Sequence, residues 1–196
     1  MRKKDFKKIF IMKSLWWVFD QSFLGNAGEV TKRQMHWLGM AGKNDQKKLI
    51  AVNNSNLKEF KHLHNCIFIN NPFPRVFYTE AVEKKKPGIH YIAVCDDKNV
   101  GVLSASVEQE SNSELYIYSL GCKYLYRRKG IGSYLLDNCI EFANNQNCKQ
   151  IKLHVKEDND DAISFYKKHG FYEFELVIDY YKRPERANAL ILCKDL

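Results

Sequence analysis

Between Tyr126 and Tyr134 the chain reads Arg127-Arg128-Lys129-Gly130-Ile131-Gly132-Ser133. Two glycines one residue apart let a backbone come close to an anion and take unusual dihedrals. An apolar-periodic stretch follows, so the loop would open a helix whose free N–H groups and dipole favour negative charge. Two arginines and a lysine add to that field. The chemistry is the cradling of a pyrophosphate. The spacing excludes the G-x-x-x-x-G-K-[ST] nucleotide loop, because Lys129 precedes the first glycine, and it excludes G-x-G-x-x-G, because Leu135 stands at the third position. What remains is R-x-x-G-x-G. Taken alone, an ordinary glycine turn at a helix start competes with it.

A second reactive side chain is His154. Ile151, Leu153 and Val155 alternate with Lys152, His154 and Lys156, which predicts a strand with the histidine on its polar face. A lone histidine there is either a solvated residue or a base. The six cysteines, Cys66, Cys95, Cys122, Cys139, Cys148 and Cys193, show no C-x-x-C pair and no zinc spacing. They read as buried, reduced thiols of a cytosolic protein, and no metal is expected. A covalent route through Cys122 lacks an evident paired base.

Alternating strands and helices must position these groups. Strands are expected at Lys48–Val52, Ile89–Cys95, Val100–Val107, Leu115–Cys122, Ile151–Val155, Phe174–Tyr181 and Ala187–Leu192. Helices are expected at Asn56–Ile67 with Ser55 as N-cap, at Tyr78–Lys85, at Gly132–Asn145 and at Ala162–Lys168. Asp96-Asp97-Lys98-Asn99 would turn a hairpin, and Asn70–Pro74 would be a loop. Residues 1–39 differ in composition. They hold all three tryptophans and 8 basic against 3 acidic residues, hence +5 of the chain's +8. They read as a basic extension, and residues 40–196 as the domain. The charge fits an anionic cofactor or a ribosome surface without requiring sequence-specific nucleic-acid binding. No stretch reaches the length of a membrane span.

The phosphate loop is followed by a strand and then by Asn159-Asp160-Asp161-Ala162-Ile163-Ser164-Phe165-Tyr166-Lys167-Lys168-His169-Gly170-Phe171. The pair of motifs resembles the GNAT superfamily of acyl-CoA-dependent N-acyltransferases. Leu115–Cys122, Tyr126-Arg127-Arg128, Leu153-His154-Val155 and Tyr180-Tyr181-Lys182-Arg183 narrow the resemblance to the NatE-type N-alpha-acetyltransferases, over about Lys48 to Leu196. It implies an α/β (α+β) fold with a mixed, mostly antiparallel sheet flanked by helices. It also implies acetyl-CoA as co-substrate, held by Leu120, Gly121, Cys122, Arg127, Arg128, Lys129, Gly130, Ile131, Gly132, Ser133, Asn159, Ala162, Phe165 and Tyr166. Tyr116 and His154 would hold a water that takes the proton of the acceptor amine, Tyr166 would protonate the leaving thiolate, and a backbone N–H of Leu120–Cys122 would stabilise the oxyanion. Phe68, Ile69, Phe73 and Tyr118 would form an apolar pocket for an initiator methionine, and Tyr180 and Tyr181 would bond the peptide backbone. Ile69 and Phe73 depart from that family's pattern, which has a proline and a tyrosine there.

The expected activity is acetyl transfer to Met-starting protein N-termini in the cytoplasm, with the nucleus a second location and a NatA-type complex or the ribosome as partner. Two rivals are a lysine acetyltransferase, disfavoured by the Tyr180-Tyr181 hairpin, and a mainly non-catalytic subunit, disfavoured by retention of Tyr116 and His154.

Overall fold

The structure is a computed structural model describing residues 46–69, 73, 75–83, 86–108, 113–182 and 186–196. The basic extension with residues 40–45, most of the Asn70–Pro74 loop, Lys84, Lys85 and Arg183 lie outside the described residues. The chain runs β1 (Lys47–Ala51), α1 (Leu57–Ile67), α2 (Arg75–Glu83), β2 (Gly88–Cys95), β3 (Lys98–Val107), β4 (Glu114–Cys122), a 3-10 turn (Tyr124–Tyr126), α3 (Ile131–Asn145), β5 (Gln150–Lys156), α4 (Asp160–Lys168), β6 (Tyr172–Tyr181) and β7 (Ala187–Asp195). The seven strands form one sheet in the order β1-β2-β3-β4-β5-β7-β6. Only β4 and β5 are parallel; every other neighbouring pair is antiparallel.

Local chemistry accounts for the boundaries. The β2–β3 turn is the two residues Asp96 and Asp97, tighter than the sequence indicates, and both take positive φ of 49° and 60°. That pair of left-handed residues matches the twist of a two-residue hairpin, and Asp tolerates it better than most side chains. The residue before α1 is Asn56, not Ser55: Ser55 spends its hydroxyl on Asn53 Oδ1 at 2.6 Å, while Asn56 Oδ1 accepts from Asn53 N at 2.8 Å. At α4 the expectation holds. Asn159 Oδ1 accepts from Ala162 N at 3.2 Å, Asp160 and Asp161 occupy the first turn, Lys167 and Lys168 the last, and Gly170 follows at φ 82°. Helix α2 begins at Arg75, three residues earlier than the periodicity indicates.

The core lies on both sides of the sheet. Helix α3 buries Leu135, Leu136, Cys139 and Ala143 and packs on β2 to β5. Helices α1 and α2 cover the other face with Phe60, Leu63, Phe68, Phe77 and Tyr78. Five of the six cysteines are buried; Cys66 is exposed, because its position on α1 faces away from the sheet, and all six are free thiols.

Strand β4 carries the decisive irregularities. Ser104 of β3 pairs with Ser119 and Ala105 pairs with Ile117, so Tyr118 is an extra, bulged residue. The bulge reverses the alternation. Tyr118 touches Phe77 of α2 (ring centroids 5.9 Å), and Gly121, three residues on, still faces that side: a Cβ there would stand 3.0 Å from both Ile67 Cγ2 and Phe68 Cζ. The second irregularity is that β4 pairs with β5 only over Glu114–Tyr116 against Gln150–Lys152. Beyond Tyr116 the two strands part. Gly121→Ala is expected to destabilise the domain by about 1–3 kcal/mol through overpacking, read as a lowered urea midpoint at unchanged m; an unchanged midpoint would mean that the end of α1 is free to retreat.

Candidate active site

The gap between β4 and β5 is where the reactive residues gather. Tyr116 is the last β4 residue paired to β5, and the β5 residue two past its partner Lys152 is His154. Their side chains meet: the Tyr116 hydroxyl and His154 Nδ1 are 2.8 Å apart, both buried. Tyr180, from the end of β6, stacks on the imidazole with centroids 4.3 Å apart and planes at 14°, and Tyr181 packs edge-on against Tyr180. Burial, with the Lys152 ammonium adding, holds the His154 pKa down at about 4. The ring is therefore neutral around pH 7 and can accept a proton. Burial raises Tyr166 and Tyr181 above the ordinary phenol range, so both keep their protons.

On the other side of the gap lies a cleft of about 670 Å³ lined by Leu120, Gly121 and Cys122 of β4, by Arg127, Arg128, Gly130, Gly132 and Ser133, and by Ala162, Phe165 and Tyr166 of α4. The loop folds as an anion cradle should. Arg128 and Gly130 take positive φ of 60° and 75°, and the first α3 bond runs from Tyr134 N to Gly130 O, leaving the amides of Ile131, Gly132 and Ser133 without an intrahelical acceptor. A Cβ on Gly132 would stand 3.2 Å from the Phe165 ring, so glycine there is what lets α3 approach α4. The Tyr166 hydroxyl is fully buried at the cleft wall with no hydrogen-bond partner among the described residues, a group that awaits a ligand. These residues fit a long anionic ligand with a phosphate end at α3 and a reactive end near Tyr166. Burial pushes the Cys122 thiol up to about 11, which leaves it protonated. Among the described residues no cluster of His, Cys, Asp and Glu could hold a metal ion.

The side chains of three expected cofactor residues do not line the cleft, though the Ile131 amide belongs to the cradle. Lys129 lies over the Tyr126 ring (5.2 Å), Ile131 is a core residue, and Asn159 caps α4. Tyr124, Asp161, Ser164, Lys168 and His169 line the cleft without having been expected; the last four fall on variable positions of the second motif. The expected acceptor pocket is also arranged differently. Phe68 and Phe73 are buried against His64, with centroids 4.6 and 4.5 Å away, Phe73 stacks on Phe77 at 4.1 Å, and Ile69 is 75% exposed. Tyr118 packs on Tyr116 (4.9 Å) but is polar at its tip: it donates to Glu108 Oε1 at 3.0 Å and accepts from Lys86 Nζ at 2.7 Å and Ser106 Oγ at 3.1 Å.

Residues 57–171 match the family model described as the acetyltransferase (GNAT) family. The chain belongs to that family. It is 36% identical over 143 residues to N-alpha-acetyltransferase 50 of Danio rerio, covering 72% of this chain and 83% of that protein. The same identity links it to san of Drosophila melanogaster, described as a probable N-acetyltransferase, over 72% and 76% of the two chains. Among solved structures, Arabidopsis thaliana Naa50 in complex with the bisubstrate analogue CoA-Ac-MVNAL superposes with a TM-score of 0.69 at 30% identity, covering 76% of this chain and 99% of that one. The α+β GNAT fold expected from the two motifs is thus the fold observed.

Two buried rings have a consequence for stability. The His64 and His154 pKa values are held down at about 3 and about 4 by burial, against 6.5 when free. Between pH 6.5 and 4 the unfolded chain binds more protons, so stability falls as pH falls through that window. The two rings alone give on the order of 2–3 kcal/mol per pH unit near pH 5. Denaturant titrations at pH 7, 6 and 5 check it; a flat profile would show that these rings are not held neutral.

Proposed function

We propose that this chain transfers the acetyl group of acetyl-CoA to the α-amine of a polypeptide N-terminus, with Met-starting acceptors preferred. The observation that carries the reading is the Tyr116–His154 hydrogen bond at the point where β4 and β5 part. Bound acetyl-CoA supplies an activated acyl thioester. The cradle amides and Arg127 and Arg128 would hold its phosphates, and the β4 edge beyond Tyr116, unpaired with β5, offers backbone groups to its arm and a backbone N–H to a developing oxyanion.

Little base strength is needed. An α-amine has a pKa of about 7.7–8.0, so freeing its lone pair at pH 7 costs about 1 kcal/mol, whereas a lysine amine at about 10.4 would cost roughly 4–5 kcal/mol. Neutral His154, acting with Tyr116 through a water, takes the proton. Tyr166, protonated and without a hydrogen-bond partner among the described residues, would donate to a departing sulfur. The acceptor preference is supported by the analogue in Arabidopsis Naa50, whose peptide MVNAL begins with Met. Because acceptor N-termini emerge at ribosomes, the cytoplasm is the proposed site of action.

The test is a mass-shift assay with acetyl-CoA and peptides bearing free Met-Leu, Met-Lys or Ser N-termini, beside N-blocked peptides with an internal lysine. Acetylation of the free Met-starting peptides is expected; acetylation of the blocked peptides alone would move the activity to lysine. Tyr116→Phe and His154→Ala are each expected to lower kcat about 10²–10³-fold, and unchanged turnover in both would remove them from the mechanism.

A further inference from the structure

His169 closes α4, and its two ring nitrogens are both engaged. Nδ1 is 2.8 Å from the Phe165 carbonyl oxygen, and Nε2 is 3.0 Å from Ser133 Oγ. A carbonyl only accepts, so Nδ1 carries the proton. In the neutral ring Nε2 is then an acceptor, and the Ser133 hydroxyl donates to it. Ser133 is the third residue of α3, in the turn whose amides are free, and both Ser133 and His169 line the cleft. The pair thus straps the two walls of the cleft together, beside the contact of Gly132 with the Phe165 ring.

This arrangement is the wrong one for an anion. With its proton spent on His169, the serine oxygen can offer a phosphate only lone pairs. A doubly protonated imidazole reverses the bond: Nε2–H donates to Ser133 Oγ, the serine proton is released toward a phosphate oxygen, and one more positive charge joins Arg127 and Arg128. We propose that His169 is a phosphate-sensing residue of the cofactor site, taking up a proton as the phosphates of a coenzyme A ligand settle at Ser133. The inference rests on the cofactor reading above. The other charged or titratable groups lining the cleft are Arg127, Arg128, Lys168, Asp161, Tyr124, Tyr166 and Cys122, and the Lys194 ammonium stands beside Gly170, where a Cβ would meet it at 2.8 Å. Of these residue types, histidine alone ordinarily changes charge between pH 5 and 8.

Calorimetric titration of the full chain with coenzyme A at pH 7, in two buffers of different ionisation enthalpy, counts the protons taken up. The ligand's own phosphate also titrates near this range, so the quantity of interest is the difference between wild type and His169→Phe. Wild type is expected to take up roughly 0.3–0.8 proton more, and its affinity to fall several-fold more steeply from pH 6 to pH 8. His169→Gln, which offers a non-titrating N–H to Ser133, is expected to lose the extra uptake while still binding, and it stands in if the phenylalanine variant does not fold. Equal proton uptake and parallel pH profiles would overturn the proposal while leaving the cofactor reading intact. Absence of any binding heat in the wild type would overturn both.

Discussion

The site depends on the brevity of one pairing. β4 and β5 share three residue pairs and then separate. A parallel pair is held by slanted backbone bonds that continue as long as nothing intervenes, so the separation must be supported on both sides. β5 is held by its antiparallel partner β7 along its whole length, from Gln150–Asp195 to Lys156–Ala189. β4 is held by β3, and by the bulge at Tyr118 that turns its far end. What the separation leaves is a strand edge without a neighbour, bordered by Tyr116 and His154 at its closed end and by the Gly130–Ser133 turn at its open end. An unpaired edge in the middle of a sheet is costly unless something bonds to it, and the cleft is the space in which a ligand can do so.

The chemistry at the closed end follows from burial. His154 is stacked under Tyr180 and bonded to Tyr116, and the low dielectric that keeps it neutral also keeps the neighbouring phenols protonated. One neutral acceptor and several retained phenol protons thus border a small gap, and a proton taken up by His154 is held against the desolvation cost of the charged imidazole. The open end works in the opposite sense: its arginines, free amides and helix dipole are all suited to negative charge.

The parts of this plan that follow short-range rules were legible in the residues. The R-x-x-G-x-G turn, the helix at Ala162–Lys168 and the alternation of β5 around His154 each obey a local spacing, and each is in place. The parts that were not legible are set by contacts distant in sequence. Nothing in Tyr116-Ile117-Tyr118 indicates a bulge, because the extra residue is defined only against Ser104 and Ala105 of β3. The unbroken alternation of a regular strand would put Gly121 and Tyr118 on opposite faces; the bulge puts them on one. Likewise His169 fell at a variable position of the second motif, and its partner Ser133 is 36 residues away.

His64 shows the same limit from the other direction. On α1 it occupies a helical position that a charged or solvated histidine could fill, yet it is fully buried in a box made of Phe60, Phe68, Phe73, Phe77 and Tyr78. Its Nδ1 meets the Tyr78 hydroxyl at 3.3 Å. The aromatics that sequence assigns to an acceptor pocket are thereby also the walls of a small core around a neutral imidazole. Phe68 serves both ends of this arrangement, packing on His64 with one face of the helix end and limiting Gly121 of β4 with its ring edge. The described end of α1 is therefore not independent of the sheet. It is tied through Phe68 to the same β4 segment whose backbone borders the cleft, so the end of α1 and the cleft wall share one strand.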